Sequence, residues 1–130
     1  MLKELVIELV VKDIYKSVDF YSKYLDFKIN MKAPDKDSYT WVELSNNNFK
    51  IMMQDEKETR NEMINFPKEL SSSNIILLKY DLNKTKEIYE VTIKEGITLF
   101  MDIRNTEYGT TEFGILDPDN NIIIISGESI

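Results

Sequence analysis

The chemistry open to this chain is narrowed first by what it lacks. Its 130 residues include neither histidine nor cysteine, so thiolate metal sites, disulfides and a cysteine nucleophile are excluded. Proton transfer would have to come from carboxylates, lysine or tyrosine. Glu8, between Val6 and Val10, is the first such group: a counter-ion for a cationic ligand, an acid whose partial burial raises its pKa, or simply a carboxylate bonded to a nearby lysine. Trp41, the single tryptophan, offers a flat apolar face and one N–H donor, which suits stacking on a planar ligand and equally suits core or subunit packing. Glu43 shares its alternation. Lys50 could hold an anionic group or reach from the rim into water. Met52 would make an adaptable wall or fill a gap in the core. Glu112 is either a further acid or half of a cross-strand ion pair.

A louder pattern is Asp117-x-Asp119-x-Asn121 with Glu128 at the twelfth position, which partly mimics a calcium loop. It fails on mechanism, because the sixth position, where the loop needs glycine to curl, is Ile122, and an isoleucine run follows. The segment reads as a hairpin turn.

The elements that must position these side chains follow from periodicity. Asp13-Ile14-Tyr15-Lys16-Ser17-Val18-Asp19-Phe20-Tyr21 lines up with Asp81-Leu82-Asn83-Lys84-Thr85-Lys86-Glu87-Ile88-Tyr89, nearly every pair identical or conservative. Each copy begins with Asp, a favoured N-cap. Ile14, Val18, Tyr21 and Leu25 recur at helical spacing, as do Leu82, Thr85, Tyr89 and Ile93. Gly96 is a plausible stop for the second helix.

Before the first helix, Leu5, Ile7, Leu9 and Val11 alternate with Val6, Glu8, Val10 and Lys12, predicting a strand with one apolar face. Strands over 28–32, 39–44 and 49–54 follow, the last two joined at Ser45-Asn46-Asn47-Asn48. On the third strand Thr40, Val42 and Leu44 suit the core and Tyr39, Trp41 and Glu43 the cavity. On the fourth, Phe49, Ile51 and Met53 suit the core and Lys50, Met52 and Gln54 the cavity. The second half repeats this order, with strands near 74–80, 98–103, 110–116 and 122–126 and a last turn at Asp117-Pro118-Asp119-Asn120-Asn121. The halves span about 1–55 and 73–130. The polar stretch 56–72, with Pro67 and the start of a serine run, is read as a connection carrying one short helical turn.

The length suits one domain over 1–130. A net charge of −7 opposes a phosphate backbone or an anionic bilayer, so no nucleic acid or membrane partner is expected. Lys3, Glu4 and Glu8 interrupt the first apolar run, which is unlike a signal peptide or membrane span; the expected location is the cytoplasm.

The run LVVKDIYKSVDFYSKYLDFKI resembles the opening of the vicinal-oxygen-chelate family, which includes glyoxalases, bleomycin-resistance proteins and extradiol dioxygenases. There a strand ends in V-x-D, a helix carries S-x-x-F-Y, and L-G-F begins the next strand; Ser17, Phe20, Tyr21, Leu25 and Phe27 match, with Asp26 at the glycine. EYGTTEFGILDPDNNIIII is similar to the family's G-x-x-x-F-x-x-x-D-P-D-G-N, with Asn120 at its glycine. The resemblance implies an α+β fold of two βαβββ modules whose curved mixed sheets surround a concave cavity. It also implies where active relatives place metal ligands: Val6, then Lys50 or Ile51, then Asn74 or Ile75, then Ile124. None is a usual ligand, so no metal and no cofactor are expected, and glyoxalase or dioxygenase chemistry is disfavoured. What the resemblance leaves is a small-molecule-binding protein of sequestration or resistance type, taking a cationic or aromatic ligand around Glu8, Trp41, Glu43, Lys50, Met52, Glu112 and Ile124, and forming a homodimer. The alternative is a metal-independent or relocated-metal lyase or isomerase using Glu8 with another carboxylate or a tyrosine.

Overall fold

The computed structural model describes residues 1–35, 37–70 and 74–129. Ser71 to Ser73, the serine run at the predicted junction of the halves, lie outside the described residues. The chain divides into two compact units, Met1–Leu70 and Ser71–Ile130.

The N-terminal unit runs β1 (Ile7–Val11), α1 (Ile14–Leu25), β2 (Lys28–Pro34), β3 (Tyr39–Asn46), β4 (Phe49–Asp55) and α2 (Glu56–Glu62). Its sheet has the order β1-β4-β3-β2, with β1 parallel to β4 and the other pairs antiparallel. The C-terminal unit repeats the pattern with β5 (Ile75–Lys79), α3 (Leu82–Glu95), β6 (Leu99–Asn105), β7 (Thr110–Leu116) and β8 (Ile122–Glu128), in the order β5-β8-β7-β6. Both are βαβββ modules, so the predicted α+β architecture is the observed one. Among the described residues no helix is long and apolar enough to cross a membrane.

Local chemistry starts and stops the helices. The Asp13 carboxylate accepts from the Lys16 N–H at 3.2 Å and that of Asp81 from the Lys84 N–H at 2.7 Å, each satisfying a donor the helix start leaves free. Asp26 ends α1 at φ 63°, and Gly96 ends α3 at φ 67°. Asp26 and Asn120 are the two residues standing where the resemblance expects glycine, and both adopt a left-handed φ of 63°. Asp and Asn are the non-glycine residues best able to hold that backbone.

In the N-terminal unit Ile14, Val18, Tyr21 and Leu25 are buried on one face of α1, against Leu9, Val11, Val42, Leu44 and Met53. The sequence expects Leu5 and Ile7 to join this core; instead they are 75% and 54% exposed, because ladder pairing begins only at Ile7 and Leu5 precedes the strand. The longer reach of α2, predicted as one turn, follows from its cap and its side chains: Asp55 accepts from the Glu58 N–H at 3.4 Å, and Glu56 and Arg60 pair four residues apart at 2.7 Å.

In the C-terminal unit the buried face of α3 is Thr85, Ile88 and Thr92, packed on Phe113, Ile115, Ile123 and Ile125. This rotates the predicted face and leaves Ile93 55% exposed. Two threonines can line a core here because each hydroxyl donates back along the helix, Thr85 to the Asp81 carbonyl at 2.9 Å and Thr92 to that of Ile88 at 2.8 Å.

Tyr89 ties α3 to β6. Its hydroxyl donates to Asp102 at 2.7 Å, and that bond, followed by one from the Ile103 N–H, holds the exposed Asp102 carboxyl below the usual carboxylate range. Because the folded value is depressed, the contribution to stability is present above the unfolded carboxylate value and is lost as pH falls through the folded one. Tyr89→Phe should move the Asp102 titration midpoint up toward an ordinary aspartate, followed by carboxyl carbon NMR; an unmoved midpoint would mean the bond does not hold in solution.

Candidate functional site

Strand alternation turns one side of the N-terminal sheet to α1 and the other away from it. On the far side Glu8, Met52 and Glu43 form one row across β1, β4 and β3. Val10, Gln54, Trp41 and Ala33 form the next row. The Trp41 indole N–H spans the two rows and donates to Glu8 Oε1 at 3.2 Å. Gln54 is buried beneath α2, where its amide oxygen accepts from the Thr59 hydroxyl at 2.7 Å and its amide nitrogen donates to Glu62 at 3.1 Å.

Glu8, Ala33, Trp41, Gln54 and Glu62, with Pro34, Thr40 and Glu58, line an open groove of about 530 Å³. One wall is apolar, from Ala33, Pro34 and the Trp41 ring; the other is acidic, with Glu8, Glu58 and Glu62, and among the described residues no lysine or arginine lines it. Arg60 lies between those glutamates in sequence but faces away, bonded to Glu56 and to the carbonyls of Pro67 and Lys68. A wider groove of about 860 Å³ in the C-terminal unit surrounds the start of α3. Its lining mixes Lys79 and Lys84 with Asp81, Glu87 and Glu128, and it holds none of the candidate ligand-binding side chains Glu8, Trp41, Glu43, Lys50, Met52, Glu112 and Ile124.

Of those side chains, Glu8 and Trp41 meet in the smaller groove. Met52 and Glu43 occupy the adjoining row, where Glu43 is buried and accepts from the Asn30 amide at 2.6 Å. Lys50 is exposed and lies 3.8 Å from Glu4, an ion pair of little energetic weight. Glu112 and Ile124 belong to the C-terminal unit. The Glu112 carboxylate is engaged by Arg104 at 3.0 Å across the β6–β7 ladder, its plainer sequence reading. Ile124 lies half-buried between Leu77 and Gly114.

The sequence reading passed over Pro34, Glu58 and Glu62. A signal for the last two was present: they stand four residues apart, on one helical face, directly after a capping Asp55.

A sequence profile of the glyoxalase/bleomycin resistance protein/dioxygenase superfamily matches residues 5–125. The chain belongs to that superfamily. Among solved structures it is similar to TioX from Micromonospora sp. ML1, at 12% identity over 97% of this chain and 98% of that one, with a TM-score of 0.76. It is similar to TnmS3, an antibiotic binding protein from Streptomyces sp. CB03234, at 19% identity over 99% and 98% of the two chains, TM-score 0.73. It is also similar to lactoylglutathione lyase from Agrobacterium tumefaciens, at 15% identity over 96% and 92%, TM-score 0.74. At these identities the shared feature is the fold. No curated protein matches the chain in sequence.

Strand register narrows the ligand positions that the superfamily resemblance implies. Lys50 shares the Glu8 face, whereas Ile51 pairs with Ile7 on the other; Asn74 precedes β5, and Ile75 shares the face of Ile124. Val6, Lys50, Ile75 and Ile124 offer three hydrocarbons and a protonated amine, which do not fit a divalent cation. Among the described residues no group of three or more His, Cys, Asp or Glu side chains is placed to hold a metal ion.

Proposed function

We propose that the protein binds a small organic molecule without a metal, in a sequestration or resistance-like role, and that the ligand is a cation with a flat apolar body. The observation that carries this reading is the groove in which Trp41 donates to Glu8 beside Glu58 and Glu62, with no basic side chain among the described lining residues. A planar ligand would lie on the indole and Pro34, and its positive charge would meet the carboxylates. Superfamily membership and a structural relative that binds an antibiotic support a binding role. An acid–base enzyme built on Glu8 has the same carboxylates in its favour, but among the described residues the groove partner bonded to Glu8 is the Trp41 indole, which is no proton-transfer group. We further propose that the protein acts as a homodimer, which sedimentation at micromolar concentration tests directly.

The groove is tested with N-methylquinolinium and naphthalene-1-sulfonate, flat ions of opposite charge, followed by quenching of Trp41. Wild type should bind the cation and not the anion. Glu8→Gln should weaken cation binding about fivefold, whereas Glu4→Gln, outside the groove, should change it less than about twofold. Equal, negligible effects of the two substitutions would remove Glu8 from the site.

A further inference from the structure

Among the described groove residues Gln54 is the one that is both buried, at 6% exposure, and polar. It is the second-last residue of β4, paired with Val10 on one side and Trp41 on the other. Its two amide atoms have different partners, and this fixes which way round the amide lies. A carboxylate only accepts, so the amide nitrogen must face Glu62 Oε2, at 3.1 Å. The amide oxygen then takes the Thr59 hydroxyl at 2.7 Å, and Thr59, itself buried, shares that proton with the Asp55 carbonyl at 3.1 Å.

Glu62 needs such a tether. It is the last residue of α2, where free helix carbonyls repel a negative side chain rather than hold it. The nearby cation that could draw it away, Arg60, is committed on the opposite side to Glu56 and to the carbonyls of Pro67 and Lys68. The result is a carboxylate held at the groove by one amide N–H and, among the described groove-lining residues, left without a positive partner.

Resting on the binding function proposed above, we infer that Gln54 is the positioning residue that sets charge specificity: by holding Glu62 at the groove, it makes the site select a cationic ligand over a neutral one of the same shape. The apolar wall of Ala33, Pro34 and Trp41 supplies affinity for either. The difference between them comes from a carboxylate whose position is preset, so that no ordering cost falls on the cationic ligand.

The test measures the ratio of affinities for N-methylquinolinium and its near-isosteric neutral counterpart, 1-methylnaphthalene. Wild type, Gln54→Leu, Gln54→Met and Glu62→Gln are compared, each checked for folding by circular dichroism. Gln54→Leu and Gln54→Met should each lower the cation preference about fivefold and leave 1-methylnaphthalene affinity within about twofold. Glu62→Gln should do the same, and the Gln54→Leu/Glu62→Gln double variant should lose no more than either alone. Loss of both affinities together in folded Gln54 variants would mean that Gln54 only shapes the groove, and would overturn the inference. An unchanged preference in folded Glu62→Gln overturns it as well, including where the Gln54 variants fail to fold. Wild type that binds with preference while these variants keep it leaves the proposed function standing; wild type that binds neither compound removes both.

Discussion

Replacing Gly127 with alanine should destabilise the protein by about 3 kcal/mol. A Cβ built on Gly127 would lie 2.6 Å from Thr85 Oγ1, 2.9 Å from Leu82 Cα and 3.0 Å from the Asp81 carbonyl oxygen. Two of these neighbours are backbone at the first turn of α3, and the third is a hydroxyl fixed by its own bond to the Asp81 carbonyl. Nothing there can swing aside, so the helix must lift off β8. Thermal unfolding should shift downward by roughly 10 °C for a chain of this size. Thr85→Ala in the same chain should recover only part of the loss, since the backbone contacts remain. A Gly127→Ala midpoint within about 0.5 kcal/mol of wild type in urea would show that α3 and β8 do not approach so closely.

That contact illustrates what the sequence hides. The Asp13 and Asp81 caps, the Asn47 and Asn120 turns and the buried stripe of α1 depend on residues close in sequence, so spacing reveals them. Asp26 and Asn120 were legible as stand-ins for glycine because left-handed backbone restricts residue type locally. Gly127 carries no such mark; its φ is ordinary, and only the three-dimensional approach of a helix requires the missing side chain. The inward face of α3 escaped for another reason. Thr92, left off the predicted face, looks polar in sequence and becomes a core residue only once its hydroxyl bonds to the preceding turn, as that of Thr85 does.

The candidate site divides along the same line. Alternation sets Glu8, Trp41, Glu43, Met52 and Gln54 on one face, because side-chain direction in a strand has a period of two, but it misplaces Tyr39, whose ring packs 4.8 Å from that of Tyr15 on α1 where the β2–β3 register is irregular. It does not reveal that Trp41 bonds to Glu8 across the strand between them, since that depends on ladder register. Nor does it reveal that α2 folds over Gln54. Within 56–72, the polarity of Glu56–Glu62 that looked like a connection belongs to a helix whose Glu58 and Glu62 border the groove.

Asp117→Ala should also cost about 3 kcal/mol, and it separates the two readings that the segment 117–128 invites. If the acids formed a calcium loop, their oxygens would converge on a cation. Instead Asp117 Oδ1 accepts from the backbone N–H groups of Asp119 and Asn121, both at 2.9 Å, and Oδ2 accepts from the Asn121 amide at 2.9 Å. Asn121 in turn accepts from the Asn74 side chain at 3.2 Å, and the Ile122 N–H donates to the Asn74 carbonyl at 2.9 Å, so one carboxylate organises the β7–β8 turn and its junction with β5. Both Asp117 and Asn121 are buried, and alanine would leave their donors without acceptors and without water. Asp117→Asn should cost less, about 1–2 kcal/mol, because its remaining oxygen can keep the backbone bonds while its amide nitrogen faces that of Asn121. Millimolar calcium should leave the wild-type unfolding midpoint unchanged, since from Ile122 onward the chain is the extended strand β8 rather than a curled loop. A midpoint that rises with calcium and no longer does so in Asp117→Ala would restore the metal-loop reading and sink the turn-capping one.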